Sequence, residues 1–163
     1  MTVTLRHPTP EDAPAVWNLV RRSTLDDNSA YAYAILFLHH ARACAVAVAD
    51  DHVAGFVLGY RVPDRPDTQF VWQIGVDADF RGQGIGGRLL RWLASEADAE
   101  QPVRWVEATV TADNAASRAL FRGLARDLGT ACEVEPCLSA EVLADHPAED
   151  LFRIGPIAPE TSP

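Results

Sequence analysis

The sequence predicts an α/β domain of the mixed (α+β) kind, on three observations. Several apolar runs, at 43–49, 53–60, 70–76 and 104–110, are rich in β-branched and aromatic residues or alternate at period two. Two other stretches put apolar residues four apart, at Ile85, Leu89, Leu93 and Ala97 and again at Leu120, Leu124 and Leu128. That is the repeat of an amphipathic helix. Between run 70–76 and the first of those helices lies a glycine-studded loop, 81–87. At 163 residues and 48% hydrophobic content the chain can bury a proper core. One domain is expected over 1–157, followed by a loose tail at 158–163.

Taken in order, 3–6 reads as a first strand. Thr9-Pro10-Glu11-Asp12 then starts a helix, with Thr9 as N-cap, Pro10 in the first turn and Asp12 reaching back; Val16, Leu19 and Val20 are its buried stripe. In 25–33, Leu-Asp-Asp-Asn-Ser-Ala-Tyr-Ala-Tyr, either Asn28 or Ser29 caps a second helix from Tyr31. This stretch is either a capping loop alone, or a wall for an ammonium group built from Asp26, Asp27 and the aromatic pair Tyr31 and Tyr33. Runs 43–49 and 53–60 flank Asp50-Asp51-His52 as an antiparallel hairpin, and 62–67 is expected to be a proline-rich loop.

In run 70–76, strict alternation would give Phe70, Trp72, Ile74 and Val76 one face, with Gly75 as a bulge position. Trp72 is then either core or a lining of the acceptor pocket. Run 104–110 carries Glu107 in mid-strand, either at an exposed edge or in contact with an amine. Helix 111–128 ends at Gly129. Residues 132–137 and 151–155 are the last two strands.

Composition excludes several partners. The net charge is −9, and all fourteen basic residues are Arg, which argues against nucleic acid and anionic membranes. The acidity fits a cationic substrate or a saline cell interior. No apolar run reaches transmembrane length, and no signal peptide is expected. Three cysteines, Cys44, Cys132 and Cys137, form an odd set without zinc spacing, so reduced thiols in a cytoplasmic protein are expected, and no metal.

A strand, a glycine loop and a helix N-terminus together make an anion site, because the first helical amides have no partner in the helix. Gly82, Gly84 and Gly87 match G-x-G-x-x-G, and Glu107 lies twenty residues beyond. The dinucleotide reading fails because five residues separate strand from glycine, the motif sits mid-chain, and two nucleotide-binding halves do not fit. A Walker loop needs a Lys, and there is none. Arg81, Gly84 and Gly86 also read as R-x-x-G-x-G, and Asn114-Ala-Ala-Ser117 before Leu120-Phe121 reads as N-x-x-[SA]-x-x-L-[YF]. Both patterns resemble the acetyl-CoA site of the GNAT superfamily of N-acetyltransferases.

The resemblance implies the GNAT fold: a mixed, mostly antiparallel sheet of roughly six to seven strands with a central splayed strand, flanked by about four helices. It implies acetyl-CoA as co-substrate, held by Ile74, Val76, Arg81, Gly82, Gln83, Gly84, Ile85, Gly86, Gly87, Arg88, Asn114, Ser117 and Phe121. Phe121 stands where the superfamily often has a Tyr that protonates the leaving thiolate.

Stretch 25–33, Gly59-Tyr-Arg-Val-Pro-Asp-Arg-Pro-Asp67, Phe70-Val-Trp-Gln73, 109–122 and His146-Pro-Ala-Glu-Asp-Leu-Phe-Arg153 are similar to one member family, the L-2,4-diaminobutyrate N(γ)-acetyltransferases of ectoine biosynthesis. The similarity runs from about Leu5 to Ile157. It implies diaminobutyrate as acceptor, a homodimer, and substrate contacts from Asp26, Asn28, Tyr31, Trp72 and Glu149. Glu107 is the expected acceptor of a proton relayed through water, with His146 as rival or else a plain loop histidine. Another small amine, or a non-catalytic acetyl-CoA-binding module, are the remaining readings.

Overall fold

A computed structural model describes residues 2–159; residues 160–163, most of the expected tail, lie outside the described residues. The elements run β1 (Val3–Arg6), α1 (Ala13–Arg21), α2 (Ala30–His40), β2 (Ala45–Ala49), β3 (His52–Val62), β4 (Arg65–Val76), α3 (Ile85–Ser95), β5 (Trp105–Thr111), α4 (Ala115–Asp127), β6 (Ala131–Leu138) and β7 (Glu149–Gly155). The seven strands form one sheet in the order β1-β2-β3-β4-β5-β7-β6. Every neighbouring pair is antiparallel except β4 and β5.

The helix starts follow the local chemistry. Asp12 Oδ2 accepts from the Thr9 N–H at 2.8 Å, closing the turn that leads into α1. Ser29, rather than Asn28, caps α2: its Oγ accepts from the Ala32 N–H at 3.2 Å. Asn114 caps α4, its Oδ1 accepting from the Ser117 N–H at 3.1 Å.

Two apolar layers sandwich the sheet. On one face Ile85, Leu89, Leu90 and Leu93 of α3 and Leu124 of α4 pack on Val57, Val71, Val106, Phe152 and Ile154. On the other, Val16, Leu19 and Val20 of α1 and Tyr33 and Phe37 of α2 pack on Val46, Phe56 and Leu58. Burying each large apolar side chain of α3 contributes about 1.5–3 kcal/mol. That anchors the helix and therefore fixes where its free N-terminus points.

The central feature is a gap between β4 and β5. Their parallel pairing covers only Thr68–Phe70 against Trp105–Glu107. Beyond Phe70 the two strands part, while β4 stays bonded to β3 up to Val76. A bulge lies at the fork: Leu58 pairs with Gln73 and Gly59 with Val71, leaving Trp72 without an opposite residue. Such an extra residue bends its strand and increases its twist.

This corrects two expectations. The bulge is at Trp72, not Gly75. It also shifts the alternation by one, since an inserted residue flips everything beyond it. Ile74 and Val76 consequently face the α3 layer, whereas Phe70 falls on the opposite face, stacked on Tyr60 at 5.2 Å. Gly75 is glycine for a different reason. A Cβ there would sit 2.8 Å from both Leu25 Cδ1 and Phe56 Cε1, so its bareness lets the α1–α2 loop lie directly on β4. Residues 62–67 also differ from expectation: β3 runs to Val62 and β4 starts at Arg65, so the segment is mostly hairpin rather than loop.

Candidate active site

The loop after β4 contributes a run of unpaired donors. Asp77 caps a short turn, its Oδ1 accepting from the Asp79 N–H at 3.1 Å. Gly82 and Gly84 then take φ of +76° and +71°, the left-handed region that glycine enters without a Cβ penalty. The first backbone bond of α3 runs from the Arg88 N–H to Gly84 O at 3.0 Å. Among the described residues, the six amides from Gly82 to Gly87 meet no acceptor. Six amides at the positive end of a helix dipole suit a diphosphate. A cleft of about 190 Å³ adjoins this loop, lined by Leu19, Arg22, Val76, Asp77, Asp79 and Arg81.

The gap supplies more donors. The Asp77 N–H points to β3, donating to Ala54 O at 2.9 Å. Strand alternation then turns the amides of Val76 and Ile74 the other way, into the space between β4 and β5. An acyl chain in that space would meet fixed N–H groups with no competing partner.

The α1–α2 loop closes over the same end of β4, where Gln73 holds it. Gln73 Nε2 donates to Asp26 O at 2.9 Å, and the Tyr33 hydroxyl donates to Gln73 Oε1 at 2.9 Å. Burial pushes the Tyr33 phenol above its ordinary value, outweighing the hydrogen bonds from Asn28 and Gln73. The phenol therefore stays protonated and keeps donating. Gln73 is adjacent to Trp72, which is 49% exposed at the fork, while Tyr31 is 74% exposed on the first turn of α2. Asp26 and Asn28 are thus carried by one loop, Tyr31 by the first turn of α2 that follows it, and Trp72 by the strand beneath. Asp27 is used otherwise: its Oδ1 accepts from the Trp17 indole at 2.9 Å.

A model of the GNAT acetyltransferase family matches residues 13–125. The chain belongs to that family. Within it the chain is 47% identical over 160 residues to L-2,4-diaminobutyric acid acetyltransferase of Halalkalibacterium halodurans, covering 97% of this chain and 84% of that one. To the protein of the same name from Nocardia farcinica it is 40% identical over 161 residues, covering 98% and 83%. Among solved structures it resembles diaminobutyrate acetyltransferase EctA of Paenibacillus lautus, in complex with L-2,4-diaminobutyric acid and coenzyme A. That match has TM-score 0.88, 36% identity and 99% coverage of both chains. The ribosomal-protein-S18-alanine N-acetyltransferase of Escherichia coli, at 22% identity and TM-score 0.71, shares the fold and covers 99% of both chains.

Several expected residues of this GNAT acetyltransferase fall elsewhere. Glu107 is 4% exposed and tightly paired. Its Oε1 accepts from Arg65 Nη1 at 2.6 Å and from Arg153 Nε at 3.2 Å, and its Oε2 accepts from Arg65 Nη2 at 3.0 Å. With three of its roughly four acceptor sites taken by cationic donors, it is held as a buried counter-ion of Arg65 and Arg153. Phe121 does not line the gap but lies in the core, 3% exposed, its ring 6.2 Å from that of Phe152. Arg88 is turned away from the glycine loop: its guanidinium donates to Val3 O at 3.0 Å on the edge strand. Asn114 spends its carbonyl on capping the Ser117 N–H, which leaves only its NH₂ and the Ser117 hydroxyl to reach outward. His146 is exposed in the β6–β7 loop, and Glu149 is half-buried at the start of β7, opposite Thr111.

Sequence reasoning missed Gln73, Arg65 and Arg153. A buried Gln in an otherwise apolar strand was the available signal for the first. The two arginines meet Glu107 from 42 and 46 residues away, and no local spacing announces that. No group of three or more metal-ligating side chains is found among the described residues. No helix among them is long and apolar enough to cross a membrane.

Proposed function

We propose that this chain transfers the acetyl group of acetyl-CoA to the γ-amine of L-2,4-diaminobutyrate, giving N(γ)-acetyl-diaminobutyrate. The choice of acceptor is carried by the likeness to the Paenibacillus lautus enzyme, whose structure holds that amino acid and coenzyme A. The six unpaired amides and the gap beside β4 fit the co-substrate. Acetyl-CoA supplies an activated acyl group as a thioester.

The protein's own residues have three tasks. The first is to bind a cation, since an alkyl ammonium has a pKa of about 10. Asp26, Glu149, Asn28 and the faces of Tyr31 and Trp72 do this. The second is to remove the ammonium proton, because only the neutral amine attacks. Glu107 is occupied, so His146 or solvent takes it. The third is to stabilise the charge that grows on the carbonyl oxygen, which falls to the Ile74 and Val76 amides. Phe121 has no proton to give, so the one shed by the amine ends on the departing thiolate through water.

Attack is direct, within a ternary complex. Cys44 is unfit as an acyl carrier, because burial pushes its thiol up to about 12 against one backbone hydrogen bond. We further propose a single catalytic domain over 1–157, working in the cytoplasm in ectoine synthesis and osmoadaptation, as a homodimer. The acidic composition agrees with a saline interior. Helix α2 carries no Asp, Glu, Lys or Arg and leaves Tyr31 and Leu38 exposed, which suits a subunit contact.

Asp26→Ala tests the binding assignment, since it keeps the backbone carbonyl that Gln73 holds. Diaminobutyrate affinity is expected to fall while coenzyme A affinity, by calorimetry, stays. Equal loss of both would refute it.

A further inference from the structure

We infer that Tyr33 and Gln73 are positioning residues for the acceptor: acting in series, they hold the α1–α2 loop against β4 and so keep Asp26 and Asn28 in place for the substrate. This deepens the proposed function and rests on it. Among the described residues, the backbone of Thr24 to Asn28 makes no hydrogen bond to another backbone group. A loop without such bonds opens at little cost unless side chains tie it down.

The bulge supplies the tie. Val71 faces the α3 layer. The extra residue at Trp72 reverses the parity beyond it, so Gln73 turns to the α2 layer and meets Tyr33. One inserted residue thus exposes Trp72 at the fork and delivers Gln73 beneath the loop. The direction of the relay is fixed as well. A peptide carbonyl only accepts, so Gln73 Nε2 must be the group at Asp26 O, at 2.9 Å. That leaves Oε1 for the Tyr33 hydroxyl, which must donate, also at 2.9 Å. Asn28 bears on the same hydroxyl. The relay therefore reaches the loop at 26 and again at 28.

Packing alone does not call for this pair. Tyr33 is fully buried in the layer of Val46, Phe56 and Leu58, and Gln73 is buried beside it. A Phe and a Leu would fill that space with no polar atom to satisfy. When one partner is removed, the polar atom of the other reaches water only if the loop lifts off β4. The loss then appears as a smaller fraction of molecules with the acceptor wall in place, and apparent affinity falls in proportion. The amides of 82–87 are set by the turn into α3 instead.

The test is a double-mutant cycle in steady-state kinetics. Tyr33→Phe removes only the hydroxyl and keeps the ring edge-on to Phe56, while Gln73→Met keeps the length and removes both bonds. Each should raise KM for diaminobutyrate about five- to a hundredfold. Its kcat should stay within about threefold, and KM for acetyl-CoA within about twofold. Because the two residues act in series, the double variant should stay within about threefold of Gln73→Met. Single losses that multiply in the double variant, an unchanged KM for diaminobutyrate, or an equal rise in both KM values would each overturn the inference. Should Gln73→Met fail to fold, Tyr33→Phe decides alone by the last two outcomes. A wild type that leaves diaminobutyrate unacetylated refutes the proposed function and this inference with it, whereas an active wild type with multiplying losses refutes only the relay.

Discussion

Gly75→Ala separates the contact that glycine permits from the bulge it does not make. The added methyl would sit 2.8 Å from Leu25 Cδ1 and Phe56 Cε1 and 3.4 Å from Leu19 Cδ2. Carbon atoms pack best at about 3.5–4.0 Å, so two neighbours must each retreat by roughly 0.7 Å or more. Phe56 is fully buried and has nowhere to go, so the displacement falls on Leu25 and the loop behind it. Overpacking of this kind costs about 1–3 kcal/mol. For a domain of this size that is a fall in Tm of about 2–12 °C. The loop carries Asp26 and Asn28, so KM for diaminobutyrate should rise several-fold, by the order of a misplacement penalty. The amides of 82–87 are untouched, and coenzyme A affinity should be unchanged. Differential scanning calorimetry and steady-state kinetics on the purified variant measure both effects. A variant as stable as wild type, with an unaltered KM, would refute the close approach of loop and strand.

Three further outcomes are expected. Glu107→Gln removes the counter-ion of two arginines, so Tm should drop while kcat stays within about threefold; a loss of 10²-fold or more, with a flattened pH–rate profile, would restore it as general base. Thiol labelling of the native protein should modify exposed Cys137 first and Cys132 slowly, its thiol raised by partial burial despite Arg122. Cys44 should react only after unfolding, and its early labelling would contradict the packing around β2. Burial raises the Asp12 carboxyl, but hydrogen bonds from Arg6 and from the Thr9 N–H outweigh it and leave the group below its usual range. Its contribution is therefore present above the unfolded value of about 3.9 and lost as pH falls through the folded one. Asp12→Asn should flatten the acid limb of the stability curve, and an unchanged limb would sink the assignment.

What could be read from residues alone was what depends on near neighbours. Periods of two and of about four separate strand from helix within a few residues. The helix starts after Thr9 and after the Asn28-Ser29 pair were legible because a cap reaches only two or three residues ahead, whereas the start of α4 was placed at Thr111, four residues before Ala115, where Asn114 caps it. The phosphate loop was legible for the same reason, since left-handed glycines and free helical amides are local properties of 82–87. Tertiary structure decided the rest, because its causes lie far apart in the chain. The parity of β4 turns on Trp72 having no partner on β3, and nothing within 70–76 displays that. Gly75 is bare because Leu25 arrives fifty residues earlier in sequence, and Glu107 is a counter-ion because Arg65 and Arg153 converge on it. A side chain's chemistry follows from what surrounds it, and in a sheet those surroundings are supplied by strands the sequence sets far away.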